Sequence, residues 1–222
     1  MSSATVMLSG GQDSTTCLYW ALTKFSHVEA IGFDYGQKHL VELEAAQKIC
    51  HTLSICYTII DLKYIFANSS LVDSQQDISA QHTINPDLPS SFTAGRNAVF
   101  LSVTAGLAYN KSINDIVTGV CQTDHSGYPD CRRIFIDSME KSLSLALDSE
   151  IKVHTPLMYL TKAKTWKMAK DLGCLEIIIH HTHTDYNGNH TNFNEWGYGA
   201  LDNPASQLRA KGYQEAKAKG WI

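Results

Sequence analysis

Through residues 5–60, short apolar runs alternate with amphipathic stretches, and few architectures accept that order. Residues 5–8 read as a strand that ends in a Ser-Gly-Gly turn. Residues 14–25 read as a helix with Cys17, Leu18, Trp20, Ala21 and Leu22 on its buried side. A second strand is predicted at 28–33, and a helix at 40–53 with Leu40, Leu43, Ala46, Ile49 and Leu53 at helical spacing. Residues 56–60 make a third strand, rich in β-branched side chains. A βαβαβ order predicts parallel strands joined by right-handed crossovers. Residues 67–94 interrupt it with Ser, Asn, Asp, Gln and Pro, and loops of that length are usually functional or disordered. Helices are then expected at 96–109, 132–147, 162–172 and 204–220, and strands at 115–119 and 152–155. The expected fold is α/β: a Rossmann-like parallel sheet of about five strands with helices on both faces, plus a small C-terminal helical appendage.

The turn after the first strand carries the strongest chemical signal. The chain runs through Leu8 into Ser9, Gly10, Gly11, Gln12, Asp13, Ser14, Thr15 and Thr16, then continues as helix through Cys17 and Leu18. A glycine-rich turn between strand and helix exposes backbone N–H groups at the positive end of the helix dipole, which makes an anion site. Ser9, Ser14 and Thr15 add hydroxyl donors. No Gly-Lys-Ser/Thr follows, so this is not a Walker loop, nor is it the Gly-x-Gly-x-x-Gly of dinucleotide folds. The plain alternative is a simple turn with Asp13 or Ser14 capping the helix.

The hexapeptide from Ser9 to Ser14 closely resembles the signature of the PP-loop ATP pyrophosphatases. That resemblance implies cleavage of ATP between its α and β phosphates and transfer of AMP to an acceptor oxygen. Further segments resemble one family within this group, the 7-cyano-7-deazaguanine synthases (QueC). They are Phe33-Asp34-Tyr35-Gly36-Gln37-Lys38-His39, Gly95-Arg96-Asn97, Thr118-Gly119-Val120, and the run from Asp124 through His125, Gly127, Tyr128, Pro129, Asp130 and Cys131 to Arg132. Thr155-Pro156-Leu157-Met158 and the stretch from Lys162 to Trp166 also match, in family order. The resemblance implies a PP-loop nucleotide-binding domain over 1–179 and a C-terminal loop and helix over 180–222.

Each motif also has a reading from its own residues. Residues 33–36 follow the second strand, and ligands of open parallel sheets bind at the carboxyl ends of strands. Tyr35 can stack on a planar base and Gln37 can hydrogen-bond one; alternatively Asp34 or Gln37 caps a helix. Arg96 offers a fork of donors to a carboxylate or phosphate, or else a surface ion pair. Asp124 and Asp130 can accept from the N–H edge of a guanine-like ring, or else serve the turn around Gly127 and Pro129. Together with Asn97 and Tyr128, these residues form the substrate set that the resemblance implies. ATP is assigned to residues 8–18, with Asp13 and Lys162 as catalytic residues. A lysine beside a triphosphate stabilises developing charge, whereas in a first helical turn it gains nothing from the helix dipole. The implied reactants are 7-carboxy-7-deazaguanine, ammonium and ATP with Mg2+, in a homodimer of queuosine biosynthesis.

One region departs from the family pattern. Members carry four zinc-binding cysteines near the C-terminus, and the corresponding positions here hold Asp185, Ala200, Asn203 and Ser206. No zinc is expected there, because alanine cannot ligate and a tetrahedral thiolate site cannot form. His180, His181, His183 and His190, with Glu195 and Asp202, leave open a substitute site, against a loop held by hydrogen bonds among Asp185, Asn203 and Ser206 and by packing of Tyr186, Trp196 and Tyr198. The cysteines present, at 17, 50, 56, 121, 131 and 174, include no Cys-x-x-Cys pair and read as reduced thiols of a cytoplasmic enzyme. The formal charge of -4 argues against direct nucleic-acid binding, and no apolar run approaches a membrane span. Two alternatives stay open: a QueC-like enzyme that stops at the amide or activates another carboxylate, and a nucleotide-binding homologue without catalysis.

Overall fold

The computed structural model describes residues 2–37, 40–66, 93–122, 128–184 and 192–222. Five parallel strands form the central sheet: β1 (Ser3–Met7), β2 (His27–Asp34), β3 (Tyr57–Asp61), β4 (Asp115–Val117) and β5 (Lys152–His154). Their order is β3-β2-β1-β4-β5. The helices are α1 (Gln12–Lys24), α2 (Val41–Thr52), α3 (Arg96–Tyr109), α4 (Arg133–Leu147), α5 (Lys162–Asp171), α6 (Leu175–His181) and α7 (Pro204–Ala218).

The period of two along the strands divides the core into two layers. Val6, Leu8, Val28, Ala30 and Val117 pack with Cys17 and Leu18 of α1 and with Ala46 and Ile49 of α2. Met7, Ile31, Phe33, Ile116 and Val153 face the other way, against Leu101 and Ala105 of α3 and Ile136 and Leu143 of α4. A strand buried on both sides must be apolar at successive positions, as β1 is from Ala4 to Met7 with Thr5 among them. A third cluster joins Ala163, Trp166 and Ala169 of α5 to Cys174, Ile178 and Ala216, so α5, α6 and α7 pack together beyond the sheet.

The strand order switches between β1 and β4, and in open parallel sheets the carboxyl ends at such a switch point flank the ligand crevice. The glycine turn leaves β1 at that point.

Several boundaries differ from expectation. α1 begins at Gln12, because Gly11 with extended backbone serves as its N-cap and the next residues are already helical. β4 ends at Val117, where its ladder with β1 ends at the Val6 pair. A 3-10 turn at Pro129–Cys131 precedes α4, which starts at Arg133. α6 lies where no helix was expected, and the expected division at 179/180 falls inside it. The hairpin β6 (Phe193–Asn194) and β7 (Gly197–Tyr198) is too short to show alternation in sequence. No helix among the described residues is long and apolar enough to cross a membrane.

Candidate active site

The turn from Ser9 to Ser14 is knitted by its own hydroxyls. Ser14 Oγ accepts from the Ser9 N–H at 3.2 Å and lies 3.1 Å from Ser9 Oγ. Ser9 Oγ in turn accepts from the Gly11 N–H at 3.3 Å. Gly10 adopts φ 92, and a Cβ there would collide with the carbonyl oxygen of Glu42. Only glycine therefore lets the turn pass so close to α2. The first N–H groups of a helix lack internal partners. Among the described residues, those of Asp13 and Ser14 have no acceptor, which leaves them for an anion. Leu8, Thr15, Thr16, Cys17 and Leu18 lie beneath the turn, fully or almost fully buried. Burial pushes the Cys17 thiol up, and its sulfur donates to the Thr118 carbonyl, so it supports the turn as a neutral core group.

Lys162 comes from the first turn of α5, on the far side of the crevice. Its Nζ donates to both carboxylate oxygens of Asp13, at 3.0 and 2.7 Å. The Lys162 side chain is only 10% exposed. Its buried stem runs past Gly212 of α7, where a Cβ would press on the Lys162 side chain. Thus two residues 149 positions apart, both expected at the site, meet at the glycine turn.

The second group of expected residues gathers after β2 and at the head of α3. Arg96 Nη1 donates to the Tyr35 hydroxyl at 3.4 Å. The guanidinium carbon lies 5.7 Å from the Tyr35 ring centroid and 6.0 Å from that of Tyr128. Burial raises the Tyr35 phenol pKa, while the Arg96 charge opposes it. Asp130 is buried, and its Oδ2 accepts from the Asn97 backbone N–H at 3.0 Å. Asn97 Nδ2 returns a bond to the Asp130 carbonyl at 3.2 Å. Gly95, the N-cap of α3, has no side chain, so Asp130 supplies the missing acceptor from a distant loop. Gln37 folds onto its own turn: Oε1 accepts from the Tyr35 N–H at 3.0 Å and Nε2 donates to the Phe33 carbonyl at 3.3 Å. Asp124 lies outside the described residues, as do Lys38, His39 and His125.

Comparison with known proteins places the chain in a family. The family model described as "Queuosine biosynthesis protein QueC" matches residues 3–217. The chain belongs to the QueC family. It is 46% identical over 217 residues to the 7-cyano-7-deazaguanine synthase of Helicobacter acinonychis, covering 96% of each chain. It is 48% identical over 215 residues to the synthase of Clostridium botulinum, covering 96% of this chain and 94% of that one. Among solved structures it resembles the U34-tRNA thiolase NcsA of Methanococcus maripaludis at TM-score 0.51 and 15% identity, covering 98% of this chain and 70% of the other. A 4-thiouridine synthetase in complex with RNA and bound ATP matches at TM-score 0.53 and 16% identity, over 98% of this chain and 54% of that one. These two likenesses are of fold.

The C-terminal residues of this QueC-family chain do not fit the family's zinc. Asp185 lies outside the described residues and Ala200 has no donor side chain. Asn203 caps α7, its Oδ1 accepting from the Ser206 N–H at 3.0 Å, and its Nδ2 donates to Asp202 at 3.0 Å. Asn203 and Ser206 are both buried. The rings of His180 and His181 meet edge to face at 6.4 Å, but no other described ligand-type side chain completes a group with them. His180 stacks on Phe193 and sits 3.2 Å from Glu176, while His183 is buried with its N–H on the Gly10 carbonyl. His190 lies outside the described residues. Among the described residues, no group of three His, Cys, Asp or Glu side chains converges on one point.

Sequence reasoning missed two residues beside the turn. Thr184 Oγ1 accepts from the Gln12 N–H at 3.3 Å, and Arg209 Nη1 donates to the same oxygen at 2.8 Å. Thr184 stands in a flank that resembles the family's zinc region, and that resemblance assigns it no part at the turn. A buried arginine in α7 has a weak signal only in hindsight: it lies on the apolar face with Ala210 and Ala216.

Proposed function

We propose that this chain makes 7-cyano-7-deazaguanine from 7-carboxy-7-deazaguanine, ammonia and ATP. The observation that carries the reading is the family match over residues 3–217, joined to relatives that bear the synthase name. The pairing of Lys162 with Asp13 at the glycine turn supports an ATP site on residues 8–18. Tyr35, Arg96, Asn97, Tyr128 and Asp130, with Asp124 and Gln37, would hold the deazapurine.

A carboxylate resists attack by ammonia because its leaving oxygen is strongly basic. One carboxylate oxygen attacks the α-phosphorus of ATP and pyrophosphate leaves. Ammonia then adds to the carbonyl carbon and AMP departs with that oxygen, giving the amide. The amide oxygen is adenylated by a second ATP, again releasing pyrophosphate. Loss of AMP and of the nitrogen-bound protons leaves the nitrile. Lys162, released from Asp13 by the incoming triphosphate, stabilises the charge that develops on the phosphate oxygens. The donors at the head of α1 fix the phosphates in line, so positioning carries much of the rate. Asp13 is the carboxylate at the turn that would help hold Mg2+, and the ion would offset charge on the pyrophosphate.

The same reading makes the enzyme a cytoplasmic homodimer that draws on free ammonium, with residues 1–179 as catalytic domain and 180–222 as its C-terminal loop and helix. Incubation of the purified protein with the acid, ATP and ammonium, followed by mass spectrometry, tests it. The nitrile is expected; accumulation of the amide alone would favour an enzyme that stops half-way, and no ATP-dependent product would sink the proposal.

A further inference from the structure

The geometry points to Thr184, anchored by Arg209, as the residue that positions the phosphate-binding turn from the C-terminal side. This rests on the ATP site proposed above and adds to it a residue outside residues 8–18.

Residues 182–184 lie along the turn and join it at two points. The His183 N–H donates to the Gly10 carbonyl at 3.1 Å, and Thr184 Oγ1 accepts from the Gln12 N–H at 3.3 Å. A hydroxyl oxygen has two lone pairs. In Thr184 the second is taken by Arg209 Nη1 at 2.8 Å. The threonine thus bridges the head of α1 and the guanidinium of α7. By occupying the Gln12 N–H it also directs that donor away from the crevice, so the donors left for phosphate are the next ones along the helix.

Arg209 is held tightly enough to act as the anchor. It is 1% exposed. Nη1 also donates to Thr182 Oγ1 at 2.9 Å, Nη2 to the Ile178 carbonyl at 2.7 Å, and Nε to the Trp196 carbonyl at 2.8 Å. Its guanidinium carbon lies 5.5 Å from the Trp166 ring centroid. The hydrogen-bond acceptors are all neutral. Burial pushes the guanidinium pKa down to about 10, while the charges of Asp13 and Glu42 act the other way. A buried cation with no carboxylate bonded to it among the described residues, close enough to Asp13 to feel it, favours a polyanion at the turn. The same helix also reaches the other half of the site. Trp166 Nε1 donates to the Arg209 carbonyl at 3.1 Å, tying α7 to α5, which carries Lys162. Thr184 is therefore the point at which the C-terminal packing is delivered to the turn.

The test compares Thr184→Val, Thr184→Ser and Thr182→Val. Valine keeps the shape of threonine and removes the acceptor, serine keeps the acceptor, and Thr182→Val removes an Arg209 contact that does not reach the turn. Calorimetric titration with Mg-ATP gives Kd for each protein, and thermal melts give stability. Thr184→Val is expected to weaken ATP binding about fivefold to tenfold, the size of one lost hydrogen bond. Thr184→Ser should lie within about twofold of the wild type, and Thr182→Val should lower Tm without moving Kd. Wild-type binding that Thr184→Val leaves unchanged would overturn the inference alone, as would equal weakening by Thr182→Val. Absence of ATP binding by the wild type would overturn the ATP site itself, and this inference with it.

Discussion

Asp13 holds the Lys162 ammonium through both oxygens, and a triphosphate entering the proposed site would compete for that charge. Substitution of Lys162 by Gln removes the charge while keeping much of the stem that lies against Gly212. The expected result is a loss of about 10²-fold to 10³-fold in kcat, comparable to loss of one transition-state donor, with little change in Tm. The buried thiols give a second expectation at this scale. Burial pushes Cys50 and Cys174 up to about 12. A folded-state pKa above the unfolded value adds stability that is complete at neutral pH and is lost as pH rises toward 12. Stability measured by denaturant titration should therefore fall between about pH 9 and pH 12, and Cys174→Ala should flatten that fall. Under native conditions near pH 8, iodoacetamide should label exposed Cys56 and spare Cys50 and Cys174. At this scale the sequence was most legible where chemistry is local. The glycine turn lies between β1 and α1 and Lys162 meets it at Asp13, whereas Gln37 bonds its own turn and Asp130 caps α3, uses that motif spelling does not distinguish from ligand contact. Thr184 was invisible, because its role comes from a fold-back of the chain onto residues 172 positions away.

Elements hold the turn as much as its own residues do. Tyr57 of β3 reaches across Gly32 of β2 and donates its hydroxyl to the Leu8 carbonyl at 3.0 Å, where the chain enters the turn. Tyr57→Phe deletes only that bond. It should cost about 1 kcal/mol in a denaturant titration and raise the KM for ATP more than it lowers kcat. The cap of α7 works at the other end. Asn203→Ala removes the acceptor for the Ser206 N–H and should cost about 1 kcal/mol, a fall in Tm of roughly 2–4 °C for a chain of this size; an unchanged Tm would show that the cap carries no stability. The long elements were readable because burial repeats along them: β1, β2, α2, α3 and α5 lie within a few residues of their expected limits. α6 and the β6–β7 hairpin were not, since seven residues make under two helical turns and two-residue strands have no period to read.

At the scale of the whole molecule, the switch in strand order between β1 and β4 sets the place of the turn, which α5 reaches through Lys162 and α7 through Arg209 and Thr184. The fold class was legible from the βαβαβ order, because parallel strands with crossover helices admit few other arrangements. The support of the C-terminal region was legible in part: a hydrogen bond between Asn203 and Ser206 was expected and is present, whereas the part played by Arg209 shows only in its contacts. Treatment with a chelator should accordingly leave Tm unchanged, and a fall of several degrees would reveal a structural metal. Light scattering should report a dimer. The central claim is that AMP is transferred to an oxygen of the substrate, and an isotope reports this directly. With 7-carboxy-7-deazaguanine labelled with oxygen-18 in its carboxylate, mass spectrometry of the AMP released should find one labelled oxygen in each molecule. AMP that carries no label while the nitrile forms would contradict the account.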